Sequence, residues 1–366
     1  MPIFMDRHDV SESVSAELLA EIHQEDLKIE HEYGCRGFTY WFDSKRKNAF
    51  CLIEAPNKEA ITRMHKHAHG DVPNTIIEVE SNIVESFLGR ITDPEKTRNT
   101  PLNIINDSAY RVLMFINITN SQDNLVNITL KTKEIDEAII NLLKAQNGNI
   151  VKKDNSSYLV SFKSVTNAIS SAVKIELEIK PKLNEFFKTL KVGIASGEPV
   201  TNKSQIFEET ISLINRMCDI IHGEIVVSYE VKTLYESEQH LPISKHKYIR
   251  VLNPAQEKFL IHLMDEVEIS WQNPEFNLDT FSENLGYSKS QLYRKIKGLT
   301  NKSPNTFIRD YRLNRALKLM NNQHGNISEI AFETGFNSLA YFSKCFKAKY
   351  HTLPSKYNQA QKPSIY

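Results

Sequence analysis

Six of the twelve histidines in this 366-residue chain lie within its first 69 positions: His8, His23, His31, His65, His67 and His69. In TRMHKHAHG, His65 and His69 stand at i and i+4, so on a helix they share one face, a spacing that lets two imidazoles bind one metal ion. His8 closes the first predicted strand, at an end that a sheet packed beneath that helix can bring toward it. His8, His65 and His69 together are then a candidate three-nitrogen site for nickel, copper or zinc. The alternative is a solvated helix whose histidines bind nothing. Asp6 and Arg7 are expected to form a structural ion pair, and His23 and His31 to lie on the surface.

A second concentration of reactive side chains is cationic. Residues 284–366 hold 14 Lys and Arg against 3 Asp and Glu, and residues 1–100 hold 12 against 18, within a chain whose 45 basic and 45 acidic groups cancel. The basic end is therefore the one suited to a polyanion, with spacing as the arbiter. In NLDTFSENLGYSKSQLYRKIKGL, Leu278, Phe281 and Leu285 line one helix, Gly286 supplies a tight turn, and Ser288 caps a second helix bearing Leu292 and Ile296. That pattern is a helix-turn-helix. It recurs in NISEIAFETGFNSLAYFSKCFKAKY, with Ile327, Ile330 and Ala331 before Gly335 and with Phe342 and Phe346 after it. Between the copies, Ser303 and Pro304 open a spacer helix that runs without a breaker to Asn321. Arg312 falls within its apolar stripe of Ile308, Ala316, Leu319 and Met320 and is expected against a carboxylate or a phosphate. A strut of about 17 residues is about 25 Å long, which lets two recognition helices enter major-groove segments roughly 34 Å apart.

These groups need more than one core to position them, since 366 residues exceed what a single hydrophobic core holds. The 40% hydrophobic and 25% charged composition is that of an ordinary soluble chain. With no apolar run near the roughly 20 residues a bilayer needs, and a start too short and charged for a signal peptide, a cytoplasmic protein without a membrane partner is expected. Cys35, Cys51, Cys218 and Cys345 form no C-x-x-C pair and are expected as buried thiols. Residues 1–90 alternate as βαββαβ: a strand (Pro2 to Val10), a helix (Ser15 to Tyr33), a hairpin of FTYWF and AFCLIEA, a helix (Asn57 to Gly70) and a strand (Asn74 to Ile83). This predicts a four-stranded α+β ferredoxin-like sheet with two helices on one face. Polar residues 91–108 predict a linker. Residues 109–250 predict a second α+β domain, and residues 253–360 an all-α domain.

Through GYSKSQLYRKIK, SPNTFIRDYRLNRALKLM, ISEIAFETGF and FSKCFKAKYHTLPSKY, residues 253–358 resemble the AraC/XylS family of bacterial transcription regulators. The resemblance implies that Ser290, Tyr293 and Arg294 face the groove from the first recognition helix, and Leu339, Ala340, Tyr341, Ser343 and Lys344 from the second. Arg294 is the expected base reader, since a guanidinium bonds both guanine acceptors. Lys289, Lys295, Lys297, Lys302 and Lys347 would hold the backbone. Where such proteins often carry glycine after each recognition helix, this chain has Asn301 and His351, which tolerate a left-handed cap.

Residues 110–236 resemble the class III nucleotide cyclase domain, most clearly in VGIASGEPV and IFEETISLINRMCDIIHGEIVVS. In that family two aspartates hold the catalytic metals; the matching positions are Asn117 and Ser156, which cannot replace carboxylates. Arg216 matches a transition-state arginine, but Ser212 stands where an asparagine is expected, and a surface ion pair is the alternative for Arg216. The resemblance implies a cyclase-like domain without catalysis that serves dimerisation or sensing. Residues 1–85, through MPIFMDRHDV, YWFDSKRKNAFCLIEAPNKEAITRMHKHAHG and IIEVE, resemble small bacterial ferredoxin-like proteins, some of them nickel-binding. Together these imply a non-enzymatic regulator of double-stranded promoter DNA, acting as a homodimer, with RNA polymerase as a further partner and nickel or another divalent transition metal as its signal. The rival is a nucleotide cyclase or a metal-dependent enzyme fused to a DNA-binding module.

Overall fold

The computed structural model describes residues 1–95, 101–120, 129–154, 156–184, 188–221, 223 and 225–361. The N-terminal unit runs β1 (Ile3–Asp9), α1 (Ala16–Ile29), β2 (Arg36–Asp43), β3 (Asn48–Glu54), α2 (Lys58–Ala68) and β4 (Thr75–Val79). Its antiparallel sheet has the strand order β2-β3-β1-β4, a ferredoxin-like arrangement. Alternation along each strand divides the side chains between two faces. Phe4, Tyr40, Phe42, Cys51 and Ile53 pack with Leu19 of α1 and with Ala60, Ile61 and Met64 of α2, so both helices lie on one face. On the other face, Met5, Trp41, Phe50, Leu52 and Ile77 share a core with Leu113, Ala195, Phe207 and Ile214 from the middle of the chain.

The last strand stops at Val79 instead of reaching Ile83, because α3 (Ser81–Leu88) follows it. Val84, Phe87 and Leu88 have the spacing of one helical face and are buried, and Gly89 at φ 82° ends the helix. The segment expected as a linker is instead a strap wherever it is described. Tyr40 Oη donates to the Asn103 carbonyl at 2.6 Å, the Phe42 N–H to the Asp107 carbonyl at 3.0 Å, and Ile105 is buried. Arg111, also buried, donates to the Phe87 and Leu88 carbonyls, which a helix end leaves without partners.

The middle unit comprises β5 (Arg111–Asn120), α4 (Thr129–Ala145), β6 (Asn149–Lys153), β7 (Ser157–Phe162), α5 (Val165–Lys174), a π-helical turn (Ile175–Ile179), α6 (Lys180–Asn184), β8 (Lys188–Gly197), α7 (Glu208–Ile220), β9 (Ile225–Val227), α8 (Tyr229–Gln239) and β10 (Ile249–Val251). The strand order is β10-β9-β8-β5-β7-β6. Strand β5 is antiparallel to β7 and β8, whereas β8, β9 and β10 run parallel. Ile139, Leu143, Ile169 and Val231 from α4, α5 and α8 cover one face. On the other, α7 crosses β8 so closely at Gly193 that an added Cβ would lie 2.7 Å from the Ile214 carbonyl oxygen.

The C-terminal unit is helical: α9 (Pro254–Ser270), α10 (Leu278–Asn284), α11 (Lys289–Thr300), α12 (Pro304–Asn321), α13 (Ile327–Glu333), α14 (Leu339–Tyr350) and α15 (Pro354–Gln361). It contains two cores. Phe259 and Leu260 of α9, Phe281, Leu292 and Ile296 form one together with Met217, Ile221 and Leu252 of the middle unit. Leu313, Met320, Ile330, Phe336, Phe342 and Phe346 form the other. Helix α12 supplies side chains to both. All four cysteines are free and buried. Among the described residues no helix is long and apolar enough to cross a membrane.

Gly335, at φ +78°, turns the chain between α13 and α14, and a Cβ there would sit 2.8 Å from the Trp271 carbonyl oxygen and 3.0 Å from that of Gln272. Gly335→Ala is expected to lower the unfolding free energy by about 2 kcal/mol or more, through left-handed strain plus the collision with backbone. Chemical denaturation measures it, and a loss below about 0.5 kcal/mol, the scale of a neutral surface change, contradicts the account.

Candidate nucleic-acid interface and metal centre

Helix α11 begins with a reciprocal cap: Ser288 Oγ accepts from the Gln291 N–H at 3.3 Å, and Gln291 Oε1 accepts from the Ser288 N–H at 3.1 Å. Leu292, Ile296 and Leu299 point inward. Lys289, Ser290, Tyr293, Arg294 and Lys297 are left exposed. Lys295 is half-buried, its Nζ 5.0 Å from the ring centres of both Phe259 and Tyr287. Lys289 pairs with Asp279 at 2.6 Å, Lys302 pairs with Asp310 at 2.6 Å, and Lys297 donates to the Asn301 carbonyl at 2.9 Å.

Helix α14 repeats the design. Ser338 caps it through the Tyr341 N–H at 3.3 Å, and Phe342, Cys345 and Phe346 point inward. Leu339, Ala340, Tyr341, Lys344 and Lys347 are exposed and Ser343 is half-buried. Asn301 at φ 58° and His351 at φ 59° adopt the left-handed caps. The strut α12 runs unbroken from Pro304 to Asn321. Among the described residues Arg312 meets no carboxylate: its Nε and Nη2 donate to the Trp271 and Asn273 carbonyls, each at 2.7 Å, and fasten α12 to the α9–α10 connection. An unforeseen contact comes from β10, where Arg250 donates to the Gly298 carbonyl at 2.8 Å and the Leu299 carbonyl at 3.1 Å near the end of α11.

The N-terminal histidines belong to a buried polar cluster. His65, with 1% of its side chain exposed, lies between two carboxylates: Nε2 is 3.0 Å from Asp6 Oδ2 and Nδ1 is 3.0 Å from Asp26 Oδ1. Burial opposes the charged imidazolium, but the hydrogen bonds to Asp26 and Asp6 outweigh it and raise the pKa to about 10. Asp6 is buried as well, yet His8 and His65 hold its carboxyl well below the usual range. His69 Nε2 is 3.2 Å from Asp26 Oδ1. His8 Nε2 is shut off from solvent and, among the described residues, has no hydrogen-bond partner, lying 3.5 Å from Asp6 Oδ1.

The structure divides the three histidines between adjacent donor sets. Asp6, His8 and Cys51 form one and Asp26, His65 and His69 the other, with donor atoms within 4.8 Å of one another in each. The His8 and His65 ring centres are 4.9 Å apart. Three of these donors, Asp6, Asp26 and Cys51, were missed from the sequence. Asp6 and His8, two apart on a strand, share a face, and Cys51 stands directly opposite Asp6 across β1 and β3. The expected Asp6–Arg7 ion pair is absent, because neighbours on a strand point to opposite faces. Arg7 instead pairs with Asp9 at 2.8 Å and Glu198 at 2.6 Å. His23 is buried against the Tyr40 ring rather than on the surface, whereas His31 is exposed. Imidazole, carboxylate and thiol donors beside an orphaned buried nitrogen fit a borderline divalent ion. Burial and Asp6 hold the Cys51 thiol well above its ordinary pKa, and a bound cation would oppose that.

In the middle unit, Asn117 lies on β5 and Ser156 in the β6–β7 turn, joined where the Ile118 N–H donates to the Ser156 carbonyl at 2.8 Å. Arg216 makes the surface ion pair, 2.7 Å from Asp265 and 3.4 Å from Glu268 of α9.

Two family profiles match this chain: one described as a helix-turn-helix domain, over residues 281–360, and one described as nickel responsive protein SCO4226-like, over residues 4–79. Histidine kinase P4 of Formosa agariphila is 30% identical over 226 residues, which are 59% of this chain and 16% of that one. HTH-type transcriptional regulator MtrA of Neisseria gonorrhoeae is 29% identical over 150 residues, 41% of this chain and 46% of that one. Probable transcription factor PqrA of Proteus vulgaris is 32% identical over 88 residues, 24% of this chain and 72% of that one. The chain thus spans less than half of the first two relatives. The two capped helix-turn-helix units and these matches establish that the chain belongs, through its C-terminal domain, to the AraC family of helix-turn-helix regulators, with a SCO4226-like domain at its N-terminal end.

Proposed function

We propose that this protein is a transcription regulator that reads two successive major-groove segments of promoter DNA and whose N-terminal domain senses nickel or another divalent transition ion. The carrying observation is the pair α11 and α14, each capped by serine, each with one side buried in a core and the other open to solvent, joined by one continuous strut. Arg294 stands exposed on α11, suited to the two acceptors of guanine. Lys289, Lys297, Lys344 and Lys347 are exposed on the same two helices for contact with phosphates.

Asp6, His8 and Cys51, with Asp26, His65 and His69 beside them, would hold the ion, whose charge would compete with the proton on His65. Strand β1 offers a route outward: Asp6 and His8 face the cluster, and Arg7 between them bonds Glu198 and the Val200 carbonyl of the middle unit. That unit reads as a cyclase-like scaffold without catalysis, since Asn117 and Ser156 offer no carboxylate where two metals would need them. A homodimer built on this scaffold and contact with RNA polymerase belong to the same proposal.

Duplexes selected from a genomic pool provide the test. Their affinity is expected to fall about 10³- to 10⁵-fold between 50 and 200 mM salt, as neutralising six to ten phosphates implies. A flat response refutes groove binding. Arg294→Ala is expected to cost about 1–3 kcal/mol on selected DNA and to relax one base position, and an equal loss on random DNA refutes base reading. For the ion, titration of nickel into the full chain is expected to release protons, and His8→Ala and His69→Ala each to weaken uptake in chains that circular dichroism shows to be folded. Uptake unchanged in both variants places any nickel elsewhere.

A further inference from the structure

Between the two helix-turn-helix lobes lies a cavity of about 490 Å³, within the usual size range of small-molecule sites. Its walls include Phe276 and Leu278 from the first lobe, Ile308 and Arg309 from α12, and Phe336 and Tyr341 from the second lobe. Phe276, Ile308 and Phe336 are buried apolar surface, whereas Tyr341 is 52% exposed at the rim. Arg309 is half-buried and, among the described residues, has no hydrogen bond or ion pair. The other two arginines of α12 are engaged, as is Asp310. Arg312 is held by two backbone carbonyls, Arg315 by Tyr311 Oη at 2.5 Å, and the adjacent carboxylate of Asp310 is taken by Lys302.

A free guanidinium beside an aromatic and aliphatic wall is complementary to an anionic head on an apolar body, and its fork favours a carboxylate. We propose that this cleft binds a small amphipathic carboxylate, its head on Arg309 and its body against Phe276, Ile308 and Phe336. The two lobes have separate cores joined through α12, so a molecule touching both lobes fixes their relation. Tyr341 belongs both to the cleft wall and to the exposed side of α14, so occupancy and DNA binding are linked, and linkage is reciprocal.

The test is calorimetric titration of the full chain, without DNA, with 4-phenylbutyrate and with its neutral counterpart 4-phenylbutanamide. The acid is expected to bind at least about tenfold more tightly than the amide, as a charge-assisted hydrogen bond implies. Arg309→Gln is expected to bring the acid down to the level of the amide with unchanged melting, whereas Lys318→Gln, an exposed change on the same helix, keeps the preference. No binding at millimolar acid, equal binding of acid and amide, or a preference that survives Arg309→Gln each overturns the proposal. So does a wild type that ignores the acid while Arg309→Gln weakens duplex binding, because Arg309 then serves a DNA phosphate. A second arm measures duplex affinity with and without the acid, expected to shift in the wild type and not in Arg309→Gln. Failure of groove binding removes only this second arm and leaves the calorimetric result standing.

Discussion

A four-stranded sheet with two helices of its own can bury only one of its faces, and here both faces are apolar. Met5, Trp41, Phe50, Leu52 and Ile77 must find cover elsewhere, and the middle unit supplies it. Each large side chain so buried contributes about 1.5–3 kcal/mol relative to exposure, which makes the junction a core and not a loose contact. Several polar groups gather at its edge. Arg90 lies over the Trp41 ring at 4.3 Å and donates to the Tyr40 carbonyl, while Asp107 joins it to Lys163. Arg111 closes the end of α3 from the middle unit's first strand.

The same alternation that creates the second apolar face places the polar cluster on the first. Asp6, His8 and Cys51 emerge beneath α1 and α2, where Asp26, His65 and His69 meet them. Burying two carboxylates is costly unless each is hydrogen-bonded. Asp6 accepts from the Cys51 N–H at 2.9 Å as well as meeting His65, and Asp26 meets both His65 and His69. His65 is the hinge of the cluster, since removing it would leave two buried carboxylates facing each other.

What was legible in the sequence was local. The βαββαβ order, both glycine turns, the caps at Ser288 and Ser303 and the unbroken strut follow from spacing within a few residues. The left-handed caps at Asn301 and His351 were expected from the family resemblance, which places glycine at those two positions. What escaped was non-local. Cys51 meets Asp6 only through the register of β1 on β3, Arg7 finds Glu198 in another unit, and Arg312 finds carbonyls of the α9–α10 connection. Helix α3 was hidden because Ile83 and Val84 are β-branched residues that a strand also accepts. The strap was hidden because its polar residues look like solvent-facing chain until their backbone partners are known.

Arg250 gives the two lobes unequal mechanical standing. It reaches from β10 to the carbonyls of Gly298 and Leu299, so the rear of α11 is pinned to a sheet whose core already continues into α9. Helix α14 belongs to the separately packed lobe. Under the two-segment docking proposed above, the first lobe, tied to the middle unit, would set the angle of approach, and the second would follow it through α12. Sequence differences that alter the bendability of the DNA between the two contacts would then be felt mainly by the second.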